Sequence, residues 1–458
     1  MIPFGLLGGF CDHLEIRITG LSEKGFSFRV PEKIEKAACL DICFFDFSAD
    51  CYRKVQLAEK EREMKLTEET PFFFIYSVWT KNGEYREQVK RLVTDYDNYI
   101  SLKLAGDDAY LSEKMVGYPA ELDEVYAESF EEQKKEWFSC VGDGIQECRN
   151  TWEHKKWNIT DFPEFELAIT IDRPELYYDF LQKDWTRFCH DYWKNNFLEH
   201  HTLSKKRVTR IYIGNQFCHN LFPRKELLFQ VLEKALENNL AVTLAFSYIR
   251  NHLLEEIDEL LQELEVWCQS REKEAGKDQE EIIVNDWAMP ILLQGKPHLK
   301  PVLGVLLNKR RKDVRLPCKH GIGNHVDSLA ENNLNCGFYQ DYLKNTFDIQ
   351  RFEFESCGYK VTIPDGHHSL HLPFFQTNTS QYCTLYAVCR YGDREKQKLP
   401  ENCPKYCEQK VFLYPKHLKM VGRYNSLFGY DEKILWDEKQ LQDYLEQGID
   451  RIVVNVSL

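Results

Sequence analysis

The hydrophobic positions of the chain follow two rhythms. Up to about residue 120, short runs alternate between apolar and polar side chains, as in strands with one buried face. Turns rich in Gly, Pro or charge separate these runs, which cover residues 14–18, 26–30, 40–45 and 72–76. The pattern predicts a small β-barrel over residues 1–120.

Residues 121–160 carry many charges at helical spacing, with no Pro or Gly before Gly142. This composition predicts a helical linker between two domains.

From residue 161 to 458 the rhythm becomes strand, loop, helix. Eight strand-like runs cover residues 166–171, 209–213, 240–246, 281–284, 301–307, 349–354, 370–375 and 451–456. Eight such units predict an α/β fold, a TIM-like (β/α)8 barrel. The long irregular stretch at 317–346 predicts that one unit is distorted or carries an insertion.

Polar residues follow strand after strand, and the carboxyl ends of barrel strands meet at one mouth. The substrate-binding candidates are Asn215, Asn285, Asp286, Asn308, Lys309 and Arg310. Each also suits an ordinary helix cap or turn. The basic run 309–312 with Arg315 fits a bound dicarboxylate or phosphate as well as it fits a solvated loop.

Four cysteines suggest a metal site. Cys218 follows the strand-like run 209–213, and Cys389, Cys403 and Cys407 come late in the chain. Thiolates are the soft ligands that iron–sulfur clusters and zinc select. The spacing predicts an iron–sulfur cluster or structural zinc, and Cys383 is the substitute ligand if Cys389 is not used.

Three histidines, His367, His368 and His371, form an HHxxH run on a strand-like segment. No acidic partner stands at a recognisable spacing, so the sequence favours structural histidines over metal ligands.

Composition sets the class of protein. Of the 458 residues, 43% are hydrophobic and 29% charged, which is typical of a globular chain able to bury a large core. The net charge of −14 disfavours nucleic-acid binding without excluding a local basic patch. No run approaches the roughly 18 to 20 apolar residues of a membrane helix. We expect a cytoplasmic protein with reduced thiols that does not bind membranes.

Three runs carry a family resemblance: 211–218 (Ile-Tyr-Ile-Gly-Asn-Gln-Phe-Cys), 283–287 (Ile-Val-Asn-Asp-Trp) and 302–308 (Val-Leu-Gly-Val-Leu-Leu-Asn). In this order and spacing they resemble the collagenase-like peptidase U-32 superfamily over about residues 165–458. The nearest pattern is that of the oxygen-independent hydroxylase subunits of ubiquinone biosynthesis. Other members hydroxylate tRNA uridine with prephenate as the oxygen donor.

That resemblance implies that Cys218, Cys389, Cys403 and Cys407 hold a 4Fe-4S cluster. It also implies a homologous U-32-type partner subunit and a small anionic co-substrate, which Lys309, Arg310 or Arg311 would grip.

Near the N-terminus, residues 20–28 (Gly-Leu-Ser-Glu-Lys-Gly-Phe-Ser-Phe) resemble the turn motif of PilZ domains. Ser22 and Gly25 match, but Gly20 stands where the motif has Asp or Asn, and no RxxxR pair precedes it. Without guanidinium donors a dianionic dinucleotide has little to hold it. The resemblance therefore implies a degenerate PilZ-like docking module, and cyclic di-GMP binding is not expected.

The function that these features favour is an oxygen-independent hydroxylase, or a subunit of one, acting on an organic or RNA substrate. A U-32-type peptidase is the rival enzyme, but the sequence contains no GxSxG elbow and no HExxH helix. A non-catalytic redox or partner-binding scaffold is the third reading. The sequence does not identify the substrate.

Overall fold

A computed structural model of the chain describes residues 6–12, 14–34, 37–46, 49, 51–70, 73–105, 125–126, 130–139, 162–275, 279–310, 312, 330–393, 396, 398–400, 402–413, 419–435 and 437–456. The chain divides into two compact units, one comprising 1–123 with 315–331 and the other 124–314 with 332–458.

The first unit contains an antiparallel sheet of seven strands. The strands are β1 (Leu7–Cys11), β2 (Leu14–Ser22), β3 (Gly25–Val30), β4 (Leu40–Asp46), β5 (Cys51–Leu57), β6 (Arg62–Glu69) and β7 (Phe74–Thr80), in the spatial order β5-β4-β1-β2-β3-β7-β6. Helix α1 (Gly83–Ala105) follows β7 and adds Tyr85, Val89 and Leu92 to the core of this sheet.

The turn between β2 and β3 holds the PilZ-like residues. The Ser22 hydroxyl donates a hydrogen bond to the Gly25 carbonyl oxygen at 2.9 Å. A Cβ atom at Gly25 would lie 1.9 Å from the carbonyl oxygen of Val78 on β7, so only glycine fits there. Among the described residues, the geometry of the β2–β3 hairpin therefore explains why Ser22 and Gly25 occupy these positions.

The second unit is built on eight parallel strands in a nearly closed, barrel-like sheet. The strands are β9 (Glu166–Ile171), β10 (Arg210–Ile213), β11 (Ala241–Ala245), β12 (Glu280–Val284), β13 (Leu299–Leu303), β14 (Glu353–Glu355), β15 (His368–Leu372) and β20 (Ile449–Val454). Their spatial order is β13-β12-β11-β10-β9-β20-β15-β14. A parallel bridge between Leu303 and Phe352 connects the two ends of this order.

Helices surround the sheet, and Ala168, Tyr212, Ala245, Ile283, Val302 and Val453 form a layer of its core. The helices of this unit are α2 (Glu131–Ser139), α3 (Pro174–Gln182), α4 (Trp185–Asn195), α5 (Lys225–Glu237), α6 (Leu254–Ala275), α7 (Met289–Leu292), α8 (Gly337–Phe347), α9 (Thr384–Tyr391) and α10 (Glu438–Glu446). The strands are buried on both faces and rich in Val, Ile and Leu, as expected for a parallel sheet covered by helices.

A network of charges fills the barrel near the amino ends of its strands. Arg451 donates to both carboxylate oxygens of Glu281, at 2.6 and 3.0 Å, and to Glu166 at 2.6 Å. Arg210 also contacts Glu281 and Glu166. Because every charge has an opposite partner, the network is compatible with burial.

A second sheet has five strands, four of which lie between β15 and β20 in the chain. Its strands are β16 (Phe374–Thr379), β17 (Val411–Leu413), β18 (Met420–Arg423), β19 (Ser426–Tyr430) and β8 (Val125–Tyr126), in the order β16-β19-β18-β17-β8. The ring of Trp137 on α2 stacks on Tyr430 at 5.1 Å.

The prediction of an α/β fold with eight parallel strands is confirmed, as is that of an antiparallel β unit at the N-terminus. All eight predicted runs overlap barrel strands, and β9 has the predicted bounds. Most of the predicted linker, 121–160, lies outside the described residues. Its described pieces, β8 and α2, belong to the second unit.

Candidate functional site

Four thiols line one small pocket of the second unit: Cys218, Cys383, Cys403 and Cys407. Cys218 comes from the loop after β10, and the other three come from the segment between β16 and β17. Arg250, Pro400, Tyr424 and Asn425 are also in its wall. The structure therefore brings together three of the four predicted ligands and the substitute, Cys383.

Cys389 does not line this pocket. It lies near the end of α9, six residues beyond Cys383 at the N-cap of the same helix. Burial raises the pKa of Cys389 and the charge of Lys410 lowers it, whereas beside burial the other pocket thiols raise the pKa of Cys383 and Cys407.

Asn215 fixes the position of Cys218. Its Oδ1 atom accepts hydrogen bonds from the backbone N–H groups of Phe217 and Cys218, both at 2.9 Å. Just before it, Gly214 has φ +108°, and a Cβ atom there would lie 2.6 Å from the Ala245 carbonyl oxygen. The loop can turn toward the pocket because glycine and then asparagine follow β10.

Cys383 and Cys407 are each fixed by hydrogen bonds to residues of the β18–β19 hairpin or its surroundings. The Cys383 thiol accepts from the Tyr386 N–H and donates to the Tyr424 carbonyl oxygen, at 3.3 and 2.9 Å. The Cys407 carbonyl oxygen accepts from Arg423 Nε at 2.8 Å. Cys407 lies in a single 3-10 turn, Tyr406–Glu408.

Burial dominates the electrostatics of the thiols. It raises the pKa of Cys218 to about 11 and that of Cys383 to about 12, and it raises the pKa of Cys407 well above the ordinary value. Nearby thiols raise all three further. A bound cation would replace these protons, since a coordinating thiol is deprotonated.

The fit to a metal group depends on spacing and on charge. Among the described residues, no three His, Cys, Asp or Glu side chains converge closely enough to hold one metal ion. Arg250 Nε is buried and has no hydrogen-bond partner among these residues. A guanidinium N–H beside four thiols suits an anionic group with sulfur acceptors.

A second pocket lies at the carboxyl ends of the barrel strands; we call it the mouth pocket. Its polar lining residues include Thr170, Asp172, Gln216, Glu355, His371 and Asn455. Its apolar and aromatic lining includes Tyr212, Phe217, Ala245, Val305 and Phe428. This is where the chemistry of a (β/α)8 barrel is found.

His371 is held in place at the mouth pocket by a buried carboxylate. Its Nε2 atom lies 2.5 Å from an oxygen of the fully buried Glu353. The Tyr212 hydroxyl donates to the same carboxylate at 3.0 Å, and Arg451 donates to that hydroxyl at 3.2 Å. These hydrogen bonds connect His371 to the charge network at the amino ends of the strands.

Tyr424 lines both pockets. It is only 3% exposed, has the left-handed φ of 58°, and its hydroxyl has no hydrogen-bond partner among the described residues. Burial and then the Asp172 carboxylate raise its pKa. A non-glycine residue in this conformation carries strain, which structures retain where a site needs it.

Two predicted substrate-binding residues shape loops. Asn285 donates to the Phe246 carbonyl oxygen at 2.7 Å and accepts from the Leu306 N–H at 3.1 Å. Asp286 accepts from the N–H groups of Ala288 and Ile249. Neither side chain lines the mouth pocket.

Asn308, Arg310 and Lys312 also bind other groups of the protein. Asn308 donates to the Glu353 carbonyl oxygen at 3.1 Å. Arg310 donates to Cys357 Sγ at 3.0 Å and to the Glu355 carbonyl oxygen. Lys312 pairs with the Glu355 carboxylate, Lys309 is exposed, and Arg311 and Arg315 lie outside the described residues.

The HHxxH run separates into three roles. His367 has an 82% exposed side chain that contacts Asp450, and His368 stacks on Phe352 at 4.8 Å. His371 alone of the three lines the mouth pocket. The sequence reasoning missed it because Glu353 is on a different strand. The alternation of side chains along each strand could have identified it. Glu353 and Glu355 share one face of β14, Ser369 and His371 share one face of β15, and both faces point into the barrel.

Comparison with models of protein families, with curated proteins and with solved structures gives no match for this chain. Among the described residues, no helix has the length and apolar character needed to span a bilayer.

Proposed function

We propose that the protein is an iron–sulfur enzyme in which Cys218, Cys383, Cys403 and Cys407 hold a 4Fe-4S cluster beside the mouth pocket. The observation that carries the proposal is that these four thiols line one small pocket although Cys218 is distant in sequence from the other three. Relative to the sequence prediction, Cys383 takes the place of Cys389.

A 4Fe-4S cluster is the proposed group and zinc is the alternative, and the two differ in the spacing of ligands that they need. Zinc binds thiolates at about 2.3 Å in a tetrahedron, so its four ligands must lie close together. A multi-atom cluster holds its thiolates farther apart. The U-32 resemblance favours the cluster, and iron and zinc analysis of the purified protein distinguishes the two groups.

When bound, a 4Fe-4S cluster supplies one-electron chemistry whose potential depends on burial and nearby hydrogen bonds. The arrangement of the pockets supports its use on a substrate, since Tyr424 borders both of them. We propose that the reaction is hydroxylation of an organic or RNA substrate without dioxygen, with an organic anion as oxygen donor, as the U-32 resemblance implies.

Peptidase activity has less support. Hydrolysis needs an activated nucleophile or a metal with an open position. Of the described residues that line the mouth pocket, none is Ser or Cys. A cage of four cysteines leaves no open ligand position for a peptide. A non-catalytic scaffold would account for the thiols but leaves the paired His371 and Glu353 without a role.

The cluster is tested by iron and acid-labile sulfide analysis of protein purified without oxygen, with electron paramagnetic resonance of the reduced sample. We expect about four irons per chain. The Cys383→Ser variant should lose most of the iron, while the matched variant Cys389→Ser should keep it. A colourless, iron-free wild type, or equal iron in both variants, would overturn the assignment.

Hydroxylation is tested separately. The iron-loaded protein is incubated under argon with prephenate and with small phenols or RNA. The masses of the products are then measured by mass spectrometry. A gain of one oxygen atom that requires prephenate supports the reaction. Turnover that requires dioxygen, or peptide cleavage by the same preparation, would contradict the proposed oxygen-independent hydroxylation.

A further inference from the structure

The mouth pocket contains groups that the cluster does not use. Among the described residues, His371 Nδ1 makes no hydrogen bond, while its Nε2 is anchored on Glu353. A carboxylate only accepts, so Nε2 carries the proton in that bond and Nδ1 has a free lone pair. The pair has the geometry of a base held by an orienting acid.

The pocket is nearly neutral. Glu355 is paired with Lys312, and the Asp172 carboxylate interacts with the Arg173 guanidinium. The Asn455 amide accepts a hydrogen bond from the Phe374 N–H and donates one to the Phe374 carbonyl oxygen. This leaves His371 Nδ1, the Tyr424 hydroxyl and the Gln216 Nε2 group as polar groups without partners among the described residues.

The walls of the pocket are aromatic and apolar. Phe217 packs edge-on against Phe428 at 4.9 Å, and Tyr212 packs edge-on against His371 at 5.5 Å. Flat rings fit between such walls, whereas a flexible charged chain gains little there.

We propose that the mouth pocket binds a small, uncharged aromatic or heteroaromatic ring carrying an acidic O–H or N–H, and that His371 removes this proton. The substrate O–H or N–H bond breaks, its electron pair stays on the ring, and a bond forms between the proton and His371 Nδ1. Glu353, a positioning residue, stabilises the imidazolium. The Tyr424 hydroxyl donates to the oxygen or nitrogen that becomes electron-rich.

This inference rests on the proposed function, because the deprotonated ring is the electron-rich substrate that hydroxylation would modify. It is tested without turnover, so that its failure differs from failure of the cluster. The probe is 4-nitrophenol, whose neutral form absorbs in the near ultraviolet and whose anion absorbs in the visible. Difference spectra of the whole protein are recorded where the free probe is mostly neutral.

We expect wild-type protein to bind the probe as its anion, and His371→Gln to lower the bound anion by about tenfold or more. The matched control His367→Gln, in the same HHxxH run but exposed, should behave as wild type. The Glu353→Gln variant should bind the probe in its neutral form, and it provides the test if His371→Gln does not fold.

Absence of binding to the wild type, or an anion signal that survives both substitutions, would overturn the proposal. Uracil and phenol as competitors separate a heterocyclic from a phenolic substrate. Displacement of 4-nitrophenol by one of them identifies the class, and displacement by neither overturns the assignment of the pocket.

Discussion

The thiol of Cys383 donates a hydrogen bond to the backbone carbonyl oxygen of Tyr424 at 2.9 Å. Through this contact a wall of the thiol pocket is also a wall of the mouth pocket, since Tyr424 borders both. We therefore expect a substitution in one pocket to alter the structure of the other.

Replacing Asn215 should weaken metal binding without removing a thiol. Asn215→Ala loses the acceptor of two N–H groups that fix Cys218. Two unpaired donors cost about 1–3 kcal/mol each, so we expect fewer irons per chain. Asn215→Asp keeps an acceptor and should hold more iron than Asn215→Ala. Equal iron in the two variants would show that the loop does not depend on this side chain.

Removing the Tyr424 hydroxyl should not destabilise the protein. Because the hydroxyl is buried without a partner among the described residues, Tyr424→Phe should leave the free energy of unfolding unchanged or raise it by up to about 1 kcal/mol. Turnover should fall. Urea unfolding and the hydroxylation assay check the two parts, and a loss of stability would mean that the hydroxyl has a stabilising partner.

Glu281 should make the protein sensitive to acid. Burial alone would raise its pKa, but Arg451 and then Arg210 outweigh burial and hold it at about 2. A depressed folded-state pKa gives stability that is present above the unfolded value, near 4.5, and lost as the pH falls toward 2. We expect Glu281→Gln to lower the free energy of unfolding at pH 7 by about 3 kcal/mol.

The difference in unfolding free energy between wild type and Glu281→Gln should shrink between pH 4.5 and pH 2. Urea unfolding at several pH values measures it. The exposed Glu259→Gln is the control and should show no such trend. A constant difference across this range would contradict the assignment.

Lys134 should add a second rise of stability with pH, in the alkaline range. Burial and then Arg173 lower its pKa from 10.5 to about 7. Between these values the unfolded chain holds the proton and the folded chain does not, so stability should rise from pH 7 to pH 10.5. Lys134→Met should remove this rise and stabilise the protein at pH 7 by about 1–3 kcal/mol.

For Lys134, chemical denaturation across this pH range provides the measurement, and the exposed Lys135→Met is the control. The prediction is contradicted if wild-type stability is flat from pH 7 to pH 10.5.

The barrel strands were readable from sequence because each is a short apolar run between polar turns. β9 agrees at both ends, whereas β14 is only three residues long and begins later than predicted. The difference has a local cause: the predicted run starts at Ile349, which is a buried loop residue that follows the end of α8.

The thiol site was only partly readable. Spacing identified Cys403 and Cys407, but it did not decide between Cys383 and Cys389, which stand at opposite ends of α9. Which end of a short helix faces a pocket depends on packing between distant segments. The same holds for the contact of Glu353 with His371 across two strands, and for Tyr424 in a hairpin turn.

All four pocket thiols precede β20 in the chain, and β20 is the strand that fills the gap between β15 and β9. During synthesis, every cysteine of the pocket has therefore left the ribosome before the ring of strands is complete. Closure of the ring of strands therefore depends on a segment that is synthesised after the last pocket thiol, Cys407.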